Sequence, residues 1–149
     1  MEITIEYAMS GLLGELYEIE RQCFKLEAFS KAHLRALLSA YNSVGLVAKV
    51  NHQLAGFIIG VIEMDQNAPV GHILTIDVAP TFQRRGIAQK LLQAIEDIFR
   101  AQAITTCHLE VREDNTAALR LYEKSGYSKV AKLENYYPSG HGLYLKKNL

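Results

Sequence analysis

The sequence predicts an α/β domain built on a mixed, mostly antiparallel sheet. Three observations predict it. Short alternating or β-branched runs and amphipathic runs follow one another in the order β-α-α-β-β-β-α-β-α-β-β. Val44–Val50 and Leu54–Met64 are two apolar strands separated only by Asn51-His52-Gln53, a hairpin. Ile73–Leu92 reads as strand, short turn, helix.

Thr4–Tyr7 alternates and predicts a first strand. Ser10 is placed to cap a helix to about Cys23, with Leu12, Leu13, Leu16, Ile19 and Glu20 at helical spacing. Ser30 caps a second helix, through about Tyr41, carrying Leu34, Leu37 and Leu38. After the hairpin, Asp65–Val70 contains Asn67 and Pro69 and reads as a loop. Gly71–Val78 is a buried strand that Pro80 ends. Gly86 to about Ala103 is the clearest helix: Ile87, Leu91, Ile95, Ile98 and Phe99 form one stripe, with Lys90, Gln93, Glu96, Asp97 and Arg100 largely opposite. Thr106–Val111 is a strand, Thr116–Ser125 a helix closed by Gly126, and Ser128–Glu134 and Gly142–Lys147 are strands around a Tyr/Pro/Gly loop.

A chain of 149 residues is one ordinary domain, able to bury roughly two-thirds of its unfolded surface. Lys+Arg and Asp+Glu both number 16, so no global field draws nucleic acid or an anionic membrane. An anion must be bound by local geometry. The longest apolar run, Leu54–Ile62, falls far short of the roughly 20 residues of a membrane span, and Met1–Glu6 has no basic region before an apolar core; a cytoplasmic location is expected. Cys23 and Cys107 are far apart, and no Cys/His spacing suggests a metal, so two reduced thiols and no metal are expected.

Gln83-Arg84-Arg85-Gly86-Ile87-Ala88 lies where the clearest helix begins. A helix N-terminus presents unpaired N–H groups and about half a positive charge, so it binds anions. Gly86 and Ala88 are small enough for a diphosphate to approach the backbone, and Arg84 and Arg85 add charge. G-x-x-x-x-G-K-[ST] and G-x-G-x-x-G are both absent, which excludes a P-loop and argues against a dinucleotide site. Taken alone, the turn is equally well a solvated Arg-Arg pair.

The run Ile76 to Ala88 resembles the Q/R-x-x-G-x-G/A signature of the GNAT superfamily of N-acetyltransferases. The resemblance implies the GNAT fold, with about four helices flanking a sheet splayed at the cofactor-binding strand. It implies acetyl-CoA as co-substrate, with Ile76, Asp77 and Val78 along pantetheine and Arg84, Arg85, Gly86, Ile87, Ala88 and Gln89 around the diphosphate. Leu109-Glu110-Val111-Arg112 through Asn115, Ala118, Leu121-Tyr122 and Gly126-Tyr127 is similar to the L-E-V-R-x-x-N-x-x-A-x-x-L-Y-x-x-x-G-F/Y block of RimI-type protein N-terminal acetyltransferases.

Asn115, Ala118, Leu119 and Tyr122 share one helical face, suited to a ligand lying along it. Asn115 is equally well a plain cap, and Tyr122 a core tyrosine. Acetyl transfer from a thioester needs a neutral amine and then a proton for the thiolate. Neutralising an α-amine at pH 7 costs about 1.3 kcal/mol, a lysine amine about 4.6. Glu110, at a strand end, is the candidate base. Tyr122 is the candidate acid, and the Val78 N–H the oxyanion donor; the alternative for Glu110 is a surface carboxylate.

Asn135-Tyr136-Tyr137-Pro138 resembles the N-Y-Y-P segment that walls the peptide cleft of RimI-type enzymes, placing Tyr136 and Tyr137 on peptide or, alternatively, in loop packing. Glu27 sits where archaeal relatives carry an acidic substrate-recognition residue. His72 is similar to a histidine that assists deprotonation through water in archaeal N-terminal acetyltransferases, a bland strand histidine being the alternative. His108 is read as structural or surface. The chain departs from the family at Glu27-Ala28-Phe29-Ser30, usually an aromatic-Pro-Trp-Ser type segment, and at Asp77, usually small. The implied substrate is a protein N-terminus, such as that of a ribosomal protein, and the implied state a monomer or weak homodimer. Small amines or lysine are the alternative acceptors, and a silent acyl-CoA-binding domain the alternative class.

Overall fold

The computed structural model describes residues 2–149. A seven-stranded sheet runs in the order β1 (Ile3–Tyr7), β2 (Ser43–Val50), β3 (Gln53–Asp65), β4 (Ala68–Val78), β5 (Thr106–Arg112), β7 (Gly140–Asn148), β6 (Ser128–Tyr137). Every neighbouring pair is antiparallel except β4–β5. Helices α1 (Leu13–Cys23) and α2 (Lys31–Ser39) cover one face, packing Leu16, Ile19 and Leu34 on Val47, Phe57 and Ile59. Helices α3 (Ile87–Ala101) and α4 (Thr116–Lys124) belong to the other face, where Leu91, Ile95, Phe99 and Tyr122 meet Ile58, Ile73, Leu109 and Leu145. Among the described residues, no helix is long and apolar enough to cross a membrane.

Local chemistry accounts for the boundaries. Ser30 Oγ accepts the His33 N–H and caps α2. Gly126, at φ 95, follows α4, and Tyr127 N–H closes back on the Tyr122 carbonyl at 2.9 Å. Gly71 is required by close approach, since a Cβ there would stand 2.5 Å from the Phe99 ring.

Four expectations are corrected. Asp65–Val70 is not a loop: Gln66 and Asn67, at φ 49 and 69, make a two-residue turn, and β4 already begins at Ala68. Pro69 is tolerated because β5 pairs with β4 only from Gly71 onward, so no ladder on that side needs its N–H. Helix α2 stops at Ser39, where its apolar stripe ends, leaving Tyr41 exposed. Asn135–Tyr137 belongs to β6, with a register shift between Leu133 and Tyr137 and Asn135 at φ 53. Glu96 is buried rather than on the wet face of α3, held by Tyr127 Oη at 2.7 Å and Lys147 Nζ at 2.8 Å. Cys23 and Cys107 are both free thiols.

Candidate active site

Strands β4 and β5 part company midway. They pair only at Gly71–Ile73 against Cys107–Leu109, after which β5 pairs with β7 alone. Ala79 N–H donates to the Ala55 carbonyl at 2.8 Å. By the two-residue alternation of an antiparallel pair, the backbone groups of Ile76 and Val78 therefore point away from β3, to the vacated edge. The Val78 carbonyl there accepts from Cys23 Sγ at 3.3 Å and Gln83 Nε2 at 3.2 Å.

The chain leaves this edge through a short 3₁₀ turn, Pro80–Phe82, and reaches α3 at an exposed bend. Arg84 and Gly86 both take positive φ, 65 and 78, and Gly86 is the N-cap of α3 with no side chain capping it. The first N–H groups of α3 thus keep their anion-binding capacity. Arg85 lies over the Phe82 ring at 5.5 Å.

On the α1–α2 face, alternation along three adjacent strands assembles a cluster. His72 Nε2 is 2.7 Å from Glu110 Oε1, and His72 Nδ1 is 2.8 Å from Glu63 Oε1. Burial disfavours the charged imidazole of His72, but its bonds to and the charges of Glu110 and Glu63 outweigh burial and raise it above its ordinary value. His108 stacks on His72 with centroids 4.2 Å apart; burial and the neighbouring His72 lower it. Tyr144 lies opposite Glu110 in the β5–β7 register and beside His108 at 5.4 Å.

Tyr122 comes from the opposite face of the sheet. It is buried and packs edge-to-face on Tyr127 at 5.7 Å. Burial pushes its phenol up, so it stays protonated. Asn115 caps α4, its Oδ1 accepting from Ala118 N–H at 3.1 Å, and Ala118 packs at the core's margin. The Asp77 side chain does not line the vacated edge. It is buried toward α1, with Thr75 Oγ1 2.6 Å from its Oδ1 and 3.1 Å from Glu20 Oε1. By the same alternation its backbone groups point to β3, opposite Phe57, so neither side chain nor backbone faces the vacated edge where the family resemblance set Asp77 along pantetheine.

The β6–β7 turn folds over the Glu110 end. Tyr136 and Tyr137 meet edge-to-face at 4.9 Å. Burial, then Tyr136 and Glu110, pushes the Tyr137 phenol up to about 12. Glu27 is partly buried and engaged by Arg112 Nη1 at 2.7 Å. Two surface hollows, one beside α3 and Lys147 and one between α1 and the β2–β3 hairpin, are not lined by His72 or Glu110. The site is a slot opened by strand divergence.

Residues 13–127 match the Acetyltransferase (GNAT) family. The chain belongs to that family. It is 33% identical to the [ribosomal protein bS18]-alanine N-acetyltransferase of Salmonella typhimurium, over 93% of this chain and 90% of the relative. It is 32% identical to an N-alpha-acetyltransferase of Sulfurisphaera tokodaii, over 72% of this chain and 70% of the relative. The crystal structure of Ard1 from Thermoplasma volcanium superposes with a TM-score of 0.87 at 27% identity, covering 100% of this chain and 99% of that one.

In this GNAT acetyltransferase, Glu63 and Tyr144 join the cluster around His72 without any signal in the sequence, and His108, expected to be structural or on the surface, stacks within it. Glu63, His108 and Tyr144 carry no spacing motif; they meet through register, His72 lying beside His108 and Glu110 opposite Tyr144. Alternation along each strand puts them on one face, but it does not say which strands are neighbours. Arg112 was legible as part of the L-E-V-R run, yet its hold on Glu27 was not.

Proposed function

We propose that the protein transfers acetyl from acetyl-CoA to the α-amino group of protein N-termini, by direct attack in a ternary complex. The observation that carries this is the 2.7 Å contact of His72 with Glu110, on the face opposite Tyr122, beside the gap between β4 and β5. An amine enters from the α1–α2 face and a thioester from the α3–α4 face, and they meet in the gap.

The site fits coenzyme A. The exposed N-terminus of α3, with Arg84 to Gln89, suits the diphosphate. The strand-free edge of Ile76 and Val78 suits pantetheine, which adds to it as a strand would. Asn115 and Ala118 line the helix behind. Glu110 accepts the amine proton, directly or through water. His72, held between two carboxylates, is a positioning residue that fixes the Glu110 carboxylate. The Val78 N–H faces the gap and serves the tetrahedral oxyanion, while Tyr122, protonated at neutral pH, donates to the departing thiolate. Glu27, Tyr136 and Tyr137 wall the peptide entry.

An α-amine suits a single carboxylate base, because neutralising it at pH 7 costs about 1.3 kcal/mol against about 4.6 for lysine. The two curated relatives described above are named for alanine N-acetylation and N-alpha-acetylation, which supports the same acceptor. The test is mass spectrometry of a peptide library with varied N-termini and internal lysines, incubated with acetyl-CoA. α-Acetyl products are expected; acetylation confined to lysine side chains would overturn the reading.

A further inference from the structure

Residues 25–29 carry Glu27, part of the proposed peptide wall, yet have no helix or strand of their own between α1 and α2. Among the described residues they make no backbone–backbone hydrogen bond. Phe24 N–H still closes back on Glu20 in α1, and the next such bond runs from Leu34 to the Ser30 carbonyl in α2. The shape of the segment therefore rests on side chains, and two polar ties reach it. Arg112 holds the Glu27 carboxylate at 2.7 Å, and Glu20 Oε2 accepts the Phe29 N–H at 3.1 Å. The Phe29 ring packs under α1 and α2 and meets His33 edge-on at 4.7 Å, but apolar contact fixes the ring and not the direction of the chain leading to Glu27.

Glu20 is 1% exposed, on a helix whose other buried residues, Leu13, Leu16 and Ile19, are apolar. A carboxyl in such a place costs free energy unless its oxygens are bonded. While Oε2 takes the Phe29 N–H, Oε1 lies 3.1 Å from the Thr75 hydroxyl on β4. Thr75 directly precedes Ile76, whose backbone faces the vacated edge. One buried carboxyl thus joins α1, the peptide wall and the cofactor strand, and the transfer chemistry makes no use of it.

We propose that Glu20 is a positioning residue for the acceptor peptide: its carboxyl fixes the Ala28–Phe29 peptide unit against β4 and so sets where Glu27 stands at the entry. The kinetic half rests on the function proposed above; the tie itself does not. Glu20 bonds to neither the proposed base nor the proposed acid, so its loss reaches the peptide and leaves the chemical step and acetyl-CoA binding intact.

Three variants separate the tie from the fold. Glu20→Leu is similar in size, removes the acceptor, and also removes a charge beside the buried Asp77 carboxyl, which favours folding. Glu20→Asp keeps the carboxyl but is one methylene short of Phe29, and carries the test if Glu20→Leu does not fold. Glu20→Gln keeps an oxygen for the Phe29 N–H and offers its amide N–H to Thr75, whose hydroxyl then serves Asp77 Oδ1, 2.6 Å away.

Hydrogen exchange over residues 24–30 of the protein alone, read by mass spectrometry, tests the tie. Steady-state kinetics with a peptide that the unmodified protein acetylates tests its consequence, and thermal unfolding verifies that each variant is folded. In Glu20→Leu and Glu20→Asp, exchange of this segment is expected to quicken and peptide KM to rise roughly tenfold, with kcat and acetyl-CoA KM unchanged. Glu20→Gln is expected to restore both readouts. An unchanged peptide KM would overturn the proposal, as would a loss shared by kcat and both KM values, which marks a general disturbance of the fold. Glu20→Gln as impaired as Glu20→Leu would also overturn it, since charge rather than the acceptor would then matter. If the unmodified protein α-acetylates no peptide, the proposed function falls and exchange alone decides the tie: equal exchange in all the proteins would show that there is none.

Discussion

The guanidinium of Arg112 lies 2.7 Å from the Glu27 carboxylate, across 85 residues of chain. The same group holds Asp114 at 2.9 and 3.0 Å and Ser139 Oγ at 3.1 Å, and lies 5.6 Å from the centre of the Tyr137 ring. One side chain thus ties the segment between α1 and α2, the start of α4 and the β6–β7 turn together around the proposed peptide entry. Arg112→Lys keeps the charge and loses the planar fork. Peptide KM is expected to rise roughly tenfold, as positioning is lost, with coenzyme A affinity unchanged by calorimetry. An unchanged KM would show that the two walls hold their shape without it.

Glu110→Gln preserves size and a hydrogen bond to His72 but cannot accept a proton. With a good peptide, kcat is expected to fall roughly 10²–10⁴-fold. Tyr122→Phe keeps the buried ring against Tyr127 and removes the hydroxyl that carries the proton, so kcat should fall while coenzyme A affinity holds. Steady-state kinetics on both variants checks this, and kcat intact in both would sink the assignment of base and acid.

The element order and both Ser30 and Gly126 as caps were legible because period, capping residues and positive-φ glycine are local signals. The turn at Gln66-Asn67 was missed because Asn67 and Pro69 together read as a breaker, whereas Asn accepts the left-handed conformation and Pro69 sits where β4 lacks a second neighbour. Glu96 looked solvated on a helical wheel, since the wheel cannot register Lys147 and Tyr127 arriving from β7 and the end of α4. For the same reason the meeting of Glu63 with His108, expected only to be structural or on the surface, was not legible: it depends on strand order, a non-local fact. Family resemblance supplied the roles of Glu110 and Tyr122 that pattern alone left open.

Gly86 tests the cofactor turn. A Cβ there meets nothing within 4 Å, so space does not demand glycine; its φ of 78 does. Gly86→Ala is expected to cost roughly 1–2 kcal/mol of local conformational energy and to disturb the first turn of α3. Coenzyme A affinity, measured by calorimetry, should weaken, and further in Gly86→Val, which is β-branched. Equal affinity in all three proteins would mean the diphosphate lies elsewhere.

Asp77 makes a prediction about stability and pH. Thr75 has one hydroxyl hydrogen yet lies 2.6 Å from Asp77 and 3.1 Å from Glu20, so it cannot donate to both carboxyls. Glu20 Oε2 already accepts the Phe29 N–H at 3.1 Å, whereas Asp77 Oδ2 is buried without a partner. A proton on Asp77 resolves the conflict. Burial, then the Glu20 charge, raises its pKa well above the ordinary value; Cys23 and Tyr122 also face it. A carboxyl raised in the folded state binds its proton more tightly there than in the unfolded chain. Its contribution to stability is fully present below the unfolded value, about 3.9, and is lost as pH rises through the raised folded value. Asp77→Asn is uncharged at every pH and escapes that loss. Its Tm should therefore gain on that of the unmodified protein as pH rises from about 4, by about 2–4 °C for each kcal/mol of relief. Thermal unfolding across that range decides it: if the unmodified protein gains on Asp77→Asn instead, the buried carboxyl is stabilising as an anion and the shared proton is not there.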